Sequence, residues 1–326
     1  MADRISVIVP AYNTAPWLVR CLDSLMAQTH PNMEVIVVND GSTDDTRQVL
    51  DAYAAAHPVK VIHQENAGVT AARLRGVAEA TGAWVGFVDG DDTVEPQMYA
   101  RLLENAWTYD AQISHCGQQV IFPDGRITKV LDSGEIRIRD RVQSLKELLN
   151  DGTIESGLCT KLYRADLFEG LAGWMDCSIR NNEDLLMNYY LFSRSHRSVF
   201  EAVCPYHYIL RQGSASYRAL SHYLIFDPIR VRQQILGSCG PEMQAAAREA
   251  LLRNLLFAYA RLTMAPAGSF REEKAQVRCL LTQQKPWFSL LSHRNRLLAN
   301  MIVTAPWTFR VSYRAFAALF LRKEQH

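Results

Sequence analysis

The sequence predicts an α/β fold: a doubly wound, mostly parallel sheet with added antiparallel strands, followed by a helical C-terminal region. Three observations predict this. Over the first 90 residues, four short apolar runs alternate with segments of helical periodicity, as in proteins whose parallel strands are joined by helices. A hairpin signal follows, and from about Ser221 onward the pattern is helical. With 326 residues, 48% of them hydrophobic, the chain can build one large domain and a smaller one.

The four predicted parallel strands are apolar and rich in β-branched residues, as is typical of strands buried on both faces. They cover residues 5–9, 35–38, 59–62 and 85–88. Helices predicted between them cover residues 14–28, 42–57 and 66–81. Ser42 and Asp45 predict a capping box at the start of the second helix. Strands that alternate with helices at this spacing are expected to lie parallel, with right-handed crossovers between them.

The middle of the chain is predicted to contain both helices and strands. A helix is expected from Pro96 to about Tyr109, and Pro123-Asp124-Gly125 predicts a hairpin between strands at 113–122 and 127–131. Further helices are predicted at 142–149 and 183–192, and closing strands at 199–203 and 206–211. Breaks in the helical region are expected at 237–241 and 265–268. We place a domain boundary near residue 218, which divides the chain into domains 1–218 and 219–326.

Charge is distributed unevenly along the chain. The whole sequence has a formal net charge of +1, which gives no electrostatic reason to expect a nucleic-acid partner. Residues 285–326, however, contain seven basic residues and one acid, so this segment alone is strongly positive. The seven cysteines are scattered without a CxxC pair, which argues against a disulfide framework and a zinc site and favours the reducing cytoplasm.

Neither end of the sequence predicts insertion into a membrane. Met1-Ala2-Asp3-Arg4 leads directly into the first strand, so no signal peptide is expected. The uncharged stretch 297–309 contains Pro306 and is shorter than the roughly 20 residues that a membrane-spanning helix requires. We therefore expect a cytoplasmic protein that does not cross the membrane.

Three acids follow the fourth strand within four residues: Asp89, Asp91 and Asp92. Ligands of open α/β sheets bind at the carboxyl ends of the strands. Crowded carboxylates at such a position suit Mg²⁺ or Mn²⁺ that carries a phosphorylated partner. A metal-bound nucleotide is the first hypothesis, and an ordinary turn rich in Asp and Gly is the alternative.

The loops after the four strands should lie along one edge of the sheet. These loops are Pro10-Ala11-Tyr12-Asn13, Asp40-Gly41-Ser42-Thr43-Asp44, Asn66 to Arg73, and Asp89-Gly90-Asp91-Asp92. With them, residues 4–215 strongly resemble the family 2 glycosyltransferases, which are inverting enzymes of the GT-A fold. The resemblance implies transfer of a sugar from a nucleotide diphosphate, usually UDP, to a hydroxyl group. It also implies Mg²⁺ or Mn²⁺ as cofactor and a role in the synthesis of cell-surface polysaccharide.

The resemblance implies roles for particular residues. Asp40 would accept a hydrogen bond from the nucleotide base, Arg73 would be a cation beside the nucleotide, and Asp89 would lie near the ribose. Asp91 would hold the metal ion across the diphosphate, since Asp89 and Asp91 match the DxD motif. The full set expected to bind the nucleotide sugar is Pro10, Ala11, Tyr12, Asn13, Asp40, Asn66, Gly68, Arg73, Asp89, Gly90, Arg211 and Ser214. For single members of this set, turn, cap or surface roles remain the alternative.

An inverting transfer also requires a base that removes the proton of the acceptor hydroxyl. Glu183-Asp184 resembles the ED motif of the family, in which the Asp is usually the base, and it follows a segment that resembles the family at Lys161-Leu162-Tyr163-Arg164. Glu183 and Asp184 are therefore the predicted catalytic residues. The alternative is that two acids in a first helical turn only stabilise the helix dipole.

Three other classes of protein were weighed. A nucleotidyltransferase usually has a Gly-rich first loop, and a Rossmann dehydrogenase needs GxGxxG after its first strand; Pro10-Ala11-Tyr12-Asn13 provides neither. A non-catalytic scaffold with a decayed site is the third, and it is disfavoured because all the expected acids are present.

The C-terminal segment predicts a partner of its own. Seven aromatic residues lie among its basic residues: Trp287, Phe288, Trp307, Phe309, Tyr313, Phe316 and Phe320. Basic and aromatic side chains together suit the headgroup region of an anionic bilayer. We expect residues 285–323 to contact the inner face of the membrane peripherally, where a glycan or lipid-linked glycan acceptor would be presented. An intramolecular helical cap and an oligomer contact are the alternatives.

Overall fold

A computed structural model describes residues 3–150, 154–211, 220–266 and 268–320. The chain divides into two compact units, Met1–Arg218 and Ala219–His326. The first unit is built on a ten-stranded mixed sheet, and the second is helical. The predicted α/β fold with added antiparallel strands and a helical C-terminal region is confirmed.

Four parallel strands form one half of the sheet: β1 (Ile5–Ala11), β2 (Met33–Asp40), β3 (Val59–Gln64) and β4 (Trp84–Phe87). Their order across the sheet is β3-β2-β1-β4. Helices α1 (Ala15–Met26), α2 (Thr46–Ala56) and α3 (Val69–Ala78) connect them. Ile8 of β1 lies opposite Ile36 of β2 on one side and Phe87 of β4 on the other, and β3 pairs in parallel with β2. All four strands therefore end at the same edge. The predicted parallel half is therefore correct in its elements and direction.

The other half of the sheet is mixed, and it continues from β4 in the order β9-β6-β10-β5. Its strands are β5 (Thr93–Val94), β6 (Ile113–Ile121), β7 (Ile127–Val130), β8 (Ile136–Asp140), β9 (Lys161–Arg164) and β10 (Arg197–Ile209). The helices of this half are α4 (Met98–Thr108), α5 (Arg141–Leu149), α6 (Leu171–Trp174) and α7 (Glu183–Arg194). β6 and β7 pair antiparallel around Gly125, as the hairpin signal predicts.

The structure corrects one prediction about this half and adds a strand that was not predicted. The closing strands expected at 199–203 and 206–211 are one strand, β10, whose pairing with β6 shifts register between Glu201 and Tyr206. Pro205 interrupts the apolar pattern at this irregularity, and proline in a sheet is tolerated at such places. The short strand β8 was not predicted at all, because its pattern is inverted: Ile136 and Ile138 are exposed, whereas Arg139 is buried.

The second helix also differs from the prediction. It begins at Thr46, and the expected capping box of Ser42 and Asp45 does not form at its start. The Ser42 hydroxyl instead accepts a hydrogen bond from the backbone N–H of Asn13, 3.0 Å away in the preceding loop. A short polar side chain near a helix start can serve either its own helix or a neighbouring loop, and here it serves the loop.

The second unit consists of five helices among the residues that the structure describes. They are α8 (His222–Ser238), α9 (Gln244–Met264), α10 (Arg271–Gln283), α11 (His293–Thr304) and α12 (Pro306–Phe320). Their breaks include the predicted ones. Within the described residues, no helix combines the length and the hydrophobicity that a membrane crossing requires.

Several side chains of the segment that was expected to contact a membrane have intramolecular roles. Phe288 and Phe309 are buried in the core of the unit, and Tyr313 stacks on Phe309. Arg314 donates hydrogen bonds to the carbonyls of Thr263 and Ala265, where α9 ends. Trp287 and Trp307, in contrast, are 46% and 75% exposed. The side chains of Phe316 and Phe320, and residues Arg322 and Lys323, lie outside the described part.

Candidate functional site

The loops after β1 and β2 are joined by hydrogen bonds of Asn13. Its amide oxygen accepts from the backbone N–H of Thr43 at 2.8 Å, and its own N–H donates to Ser42. Asn13 has a left-handed backbone (φ 54°), which asparagine tolerates better than most residues. The predicted binding residue Asn13 therefore holds two edge loops together.

The remaining predicted residues of the first loop differ in exposure. Pro10 and Ala11 are buried within β1, so they can offer mainly backbone to a ligand. Tyr12 is 50% exposed and follows them at the sheet edge. Its ring is therefore the accessible side chain of this loop.

Asp40 lies at the end of β2 and is only 3% exposed. Its carboxylate accepts hydrogen bonds from the Gln64 side chain (2.8 Å) and from the backbone N–H groups of Ala67 (2.9 Å) and Gly68 (2.8 Å). Gly68 has φ +89°, a conformation that favours glycine, and it precedes α3 directly. Asn66 packs against Gly41 in the same place, where a Cβ on Gly41 would lie 2.6 Å from its backbone nitrogen. Asp40 thus fixes the loop that begins α3, and one acceptor position of its carboxylate is left for a ligand.

Arg73 lies on α3 and is the buried centre of a cluster of partly exposed carboxylates. Its side chain is 3% exposed, and its guanidinium bonds to Asp184 and, at 3.1 Å, to Asp89. Glu183 lies 3.8 Å from the same guanidinium. The structure therefore brings together four predicted site residues that are separated by up to 111 positions in the sequence.

The cluster contains three carboxylates and one guanidinium, and this excess of negative charge affects its protonation. Burial and the neighbouring Asp184 raise the pKa of Glu183, and Arg73 opposes them. Burial also raises the pKa of Asp184 against the pull of Arg73. The pKa of Arg73 is raised, chiefly by Asp184 and Asp89 against the effect of its own burial. Asp184 is therefore a stronger base than an exposed aspartate.

Two further residues hold α7 in place under this cluster. Asn188, one helical turn after Asp184, is completely buried; it accepts from the Tyr163 hydroxyl at 2.7 Å and donates to the Ser156 carbonyl at 2.6 Å. Lys161 is also fully buried, and its ammonium donates to the carbonyls of Glu155 and Gly157. Sequence reasoning used Lys161 only to locate the motif. The sequence carries no signal of this structural role, because only the structure shows that the lysine is buried.

The three acids after β4 have different surroundings. Asp92 is 1% exposed and accepts hydrogen bonds from the Tyr206 hydroxyl (2.5 Å) and the backbone N–H of Ile209 (2.8 Å), both on β10. Burial and the nearby Asp89 and Asp91 raise its pKa to about 8. Asp92 therefore belongs to the packing of β10 on this turn, which corrects the expectation of three carboxylates grouped around one ligand. Gly90 lies between the two other acids, and a Cβ added to it would lie 3.4 Å from the Pro10 carbonyl oxygen.

Asp91 is bonded to Arg211, at the end of the described part of the first unit. The Arg211 guanidinium also lies over the ring of Trp17, 3.7 Å from its centre, which is a cation–π contact. Burial and Asp89 raise the pKa of Asp91, while Arg211 lowers it. Trp17 was not predicted, since its place in the first turn of α1 is also normal for a packing residue. Ser214 lies outside the described residues.

The donor set at this turn fits a divalent cation that arrives with a diphosphate. Mg²⁺ is usually held by one or two carboxylates, with phosphate oxygens and water completing its shell. Asp91 and Asp89 provide such carboxylates, and their mutual repulsion is what a cation would relieve. No group of three or more metal-binding side chains occurs among the described residues, so the protein part does not form a complete metal cage.

Comparison with known proteins decides the family. A model of "Glycosyl transferase family 2" matches residues 6–171, about half of the chain, and this range contains the four edge loops. The chain belongs to this family.

Two relatives of this family 2 glycosyltransferase illustrate the match. EpsJ of Bacillus subtilis (strain 168), named an uncharacterized glycosyltransferase, is 34% identical over 200 residues, or 60% of this chain and 58% of EpsJ. The succinoglycan biosynthesis protein ExoO of Rhizobium meliloti (strain 1021) is 28% identical over 222 residues, or 65% of this chain and 62% of ExoO. The chain thus spans less than two thirds of the length of these relatives.

The fold also has a solved counterpart. The crystal structure of S. aureus TarS 1–349 in complex with UDP-GlcNAc matches with a TM-score of 0.72 and 21% identity, over 99% of this chain and 93% of that one. At this identity the likeness shows the fold alone. The mixed sheet of this family 2 chain therefore has a GT-A-type fold that is known from experiment.

Proposed function

We propose that the protein is a metal-dependent inverting glycosyltransferase that transfers a sugar from a UDP-sugar to a hydroxyl group of a glycan or lipid-linked glycan acceptor, in the synthesis of cell-surface polysaccharide. The observation that carries this proposal is the cluster of the buried Arg73 with the partly exposed Asp89, Glu183 and Asp184. Membership in family 2 and the name of ExoO support the reaction class and the pathway type.

The uridine end of the donor would bind between the first three loops. Asp40 retains an acceptor position for the N–H of a base, and the exposed Tyr12 ring offers a face for contact with it. The UDP-GlcNAc complex of TarS supports a nucleotide donor of this kind. These two residues would select the nucleotide base, and Asp89 would lie near the ribose.

Mg²⁺ or Mn²⁺ would be held by Asp91, with Asp89 beside it. When bound, the cation would neutralise charge that develops on the departing diphosphate. Arg211 is suited to the same diphosphate, because its guanidinium already lies next to Asp91. Ser214 would add a hydroxyl that contacts the same diphosphate.

Asp184 would act as the general base. Its carboxylate takes the proton of the acceptor hydroxyl while that oxygen forms a bond to the anomeric carbon from the face opposite the leaving group. The bond from the anomeric carbon to the diphosphate oxygen breaks, and UDP leaves with the electron pair. Arg73 holds Asp184 in position and keeps it ionised until the transfer. An α-linked donor would give a β-linked product.

A panel of nucleotide sugars tests this proposal. Purified protein should release UDP from one UDP-sugar in the presence of Mn²⁺, by slow hydrolysis without an acceptor. Release of pyrophosphate from a sugar phosphate and UTP would instead identify a nucleotidyltransferase. Tight UDP binding with no turnover of any sugar would identify a non-catalytic nucleotide-binding scaffold.

We also propose a peripheral contact of the second unit with the inner face of the cell membrane. Four basic residues of the predicted segment are exposed: Lys285, Arg294, Arg296 and Arg310. The exposed Trp287 and Trp307 lie in the same segment. This composition supports binding to anionic lipid, while a contact with another subunit is the competing explanation.

A further inference from the structure

The second unit contains an apolar groove with a basic rim. It has a volume of about 220 Å³ and lies between α9, α11 and α12. Leu256, Leu298 and Phe309 are among the apolar residues that line it. Arg253 and Arg294 line it as well, and no acid does. The groove therefore joins a hydrophobic surface to two positive charges.

The segment that forms α11 and α12 carries charge of one sign. From Lys274 to Phe320 the sequence contains no aspartate or glutamate, although it contains seven basic residues. Arg294 is exposed and pairs with no carboxylate in the described part of the chain. A solvated helical surface normally mixes both signs. The surroundings of this groove thus favour an anionic ligand.

Large apolar side chains remain exposed beside the groove. Phe257, which lines it on α9, is 60% exposed, and Leu297 on α11 is 53% exposed. A free phosphate or a nucleotide would leave these side chains and the groove floor in contact with water. A molecule that combines a phosphate group with a hydrocarbon chain would cover both parts.

We propose that the groove binds one anionic phospholipid of the bilayer, with its phosphate at Arg253 and Arg294 and the beginning of an acyl chain against Leu256 and Leu298. This inference rests on the membrane contact proposed above. The membrane contact was proposed for residues 285–323 as a whole. The inference places it at the groove, which residues of α9 also line.

Co-sedimentation of the full-length protein with vesicles tests the inference. The vesicles contain phosphatidylcholine with or without phosphatidylglycerol, at low salt. Loss of one cation near an anionic surface weakens partitioning about fivefold, so Arg294→Gln should show at least this decrease with the anionic vesicles. Lys285→Gln is the matched control: it removes an exposed charge of the same segment outside the groove and should change partitioning less than Arg294→Gln does.

A soluble lipid separates the groove from the bilayer surface. Short-chain phosphatidylglycerol below its micelle concentration should bind the wild-type protein in calorimetry and should bind Arg294→Gln more weakly, whereas inorganic phosphate should not bind measurably. Circular dichroism checks that both variants are folded.

The outcomes distinguish the two proposals. Equal losses in Arg294→Gln and Lys285→Gln would overturn the groove and leave the membrane contact standing. Binding of inorganic phosphate as tightly as the short-chain lipid would overturn the acyl-chain part. Wild-type protein that stays in the supernatant with anionic vesicles would overturn both.

Discussion

Arg73 is the residue on which the catalytic cluster depends. Its guanidinium is the one cation in direct contact with Asp89, Glu183 and Asp184 among the described residues. Removing one partner of a buried ionic network leaves the other charges uncompensated, and this costs far more than loss of an exposed ion pair. Arg73 therefore has a structural role as well as its proposed role beside the nucleotide.

Stability measurements can compare the loss of the buried Arg73 contacts with the loss of an exposed ion pair on the same helix. We expect Arg73→Met to lower the free energy of unfolding by about 1.5–3 kcal/mol, because a buried guanidinium would lose its charge-assisted hydrogen bonds to partly exposed carboxylates. Arg75→Met, on the same helix, removes a 53% exposed arginine paired only with Glu79 and should cost less than about 1 kcal/mol. Urea denaturation of both variants gives the comparison, and similar losses would contradict the importance of the cluster.

The proposed base is tested by Asp184→Asn. The amide can still accept a hydrogen bond from Arg73, but it cannot take a proton, so turnover should fall by roughly 10²–10⁴-fold. UDP binding, measured by calorimetry, should stay close to that of the wild type. Glu183→Gln is the control on the neighbouring carboxylate and should lose less. Full transfer activity of Asp184→Asn would assign the base elsewhere.

The proposed metal ligand is tested by Asp91→Ala. Loss of this carboxylate should abolish the part of the UDP affinity that depends on Mn²⁺. Asp92→Asn provides the control, because its amide oxygen can accept from the Ile209 N–H while its NH2 group donates to the Tyr206 hydroxyl oxygen. Calorimetry with and without Mn²⁺ measures both, and an unchanged Mn²⁺ effect in Asp91→Ala would rule out this ligand.

At the scale of elements, the site depends on how loops at the sheet edge are joined. Asp40 holds the start of α3 through the N–H groups of Ala67 and Gly68, and Asn13 holds the loop after β2. These bonds order the site before any ligand arrives, which lowers the entropy cost of binding.

Gly68→Ala should disturb this arrangement through the backbone alone. A Cβ at this position would meet no atom within 4 Å, but the residue has φ +89° and ψ 160°, a combination almost restricted to glycine. We expect a loss of about 1–3 kcal/mol in unfolding free energy, together with weaker UDP binding. Gly173→Ala, in α6 and equally free of steric contact, should be neutral or stabilising. Equal effects of the two changes would refute the backbone explanation.

At the scale of the whole molecule, stability should depend on pH through a buried histidine. His115 on the central strand β6 is 1% exposed and packs against Phe192 and Phe200. Burial, with Lys161 and Arg139, lowers its pKa well below the usual value, so the folded protein keeps the ring neutral. Unfolding then takes up a proton below about pH 6.5.

We therefore expect His115 to contribute a loss of stability as the pH falls below about 6.5, at about 1.4 kcal/mol per pH unit. His115→Gln cannot titrate, so its stability should fall less steeply between pH 7 and pH 5. Urea denaturation of both proteins across this range measures the difference in slope. Parallel curves would show that His115 has the same pKa in the folded and unfolded states.

Local sequence was sufficient for the parallel half of the sheet. Apolar runs of strand length, separated by helical periodicity, leave few topologies, and right-handed crossovers bring Asp40 and Asp89 to one edge. The fold of this half and the position of its edge could therefore be predicted, and the family followed from the resemblance of the loop motifs at that edge. Strand β8 could not be predicted, because it exposes Ile136 and Ile138 and buries Arg139, the reverse of the usual hydrophobic pattern.

Only the tertiary structure determined the partners of the site residues. Arg73 bonds to Asp184, 111 positions away, and Arg211 to Asp91, 120 positions away. Asp92 turns toward Tyr206 although its neighbour Asp91 turns toward Arg211. Sequence spacing predicts that acids lie on one turn, but the direction of each side chain depends on which distant strand or helix packs beside it.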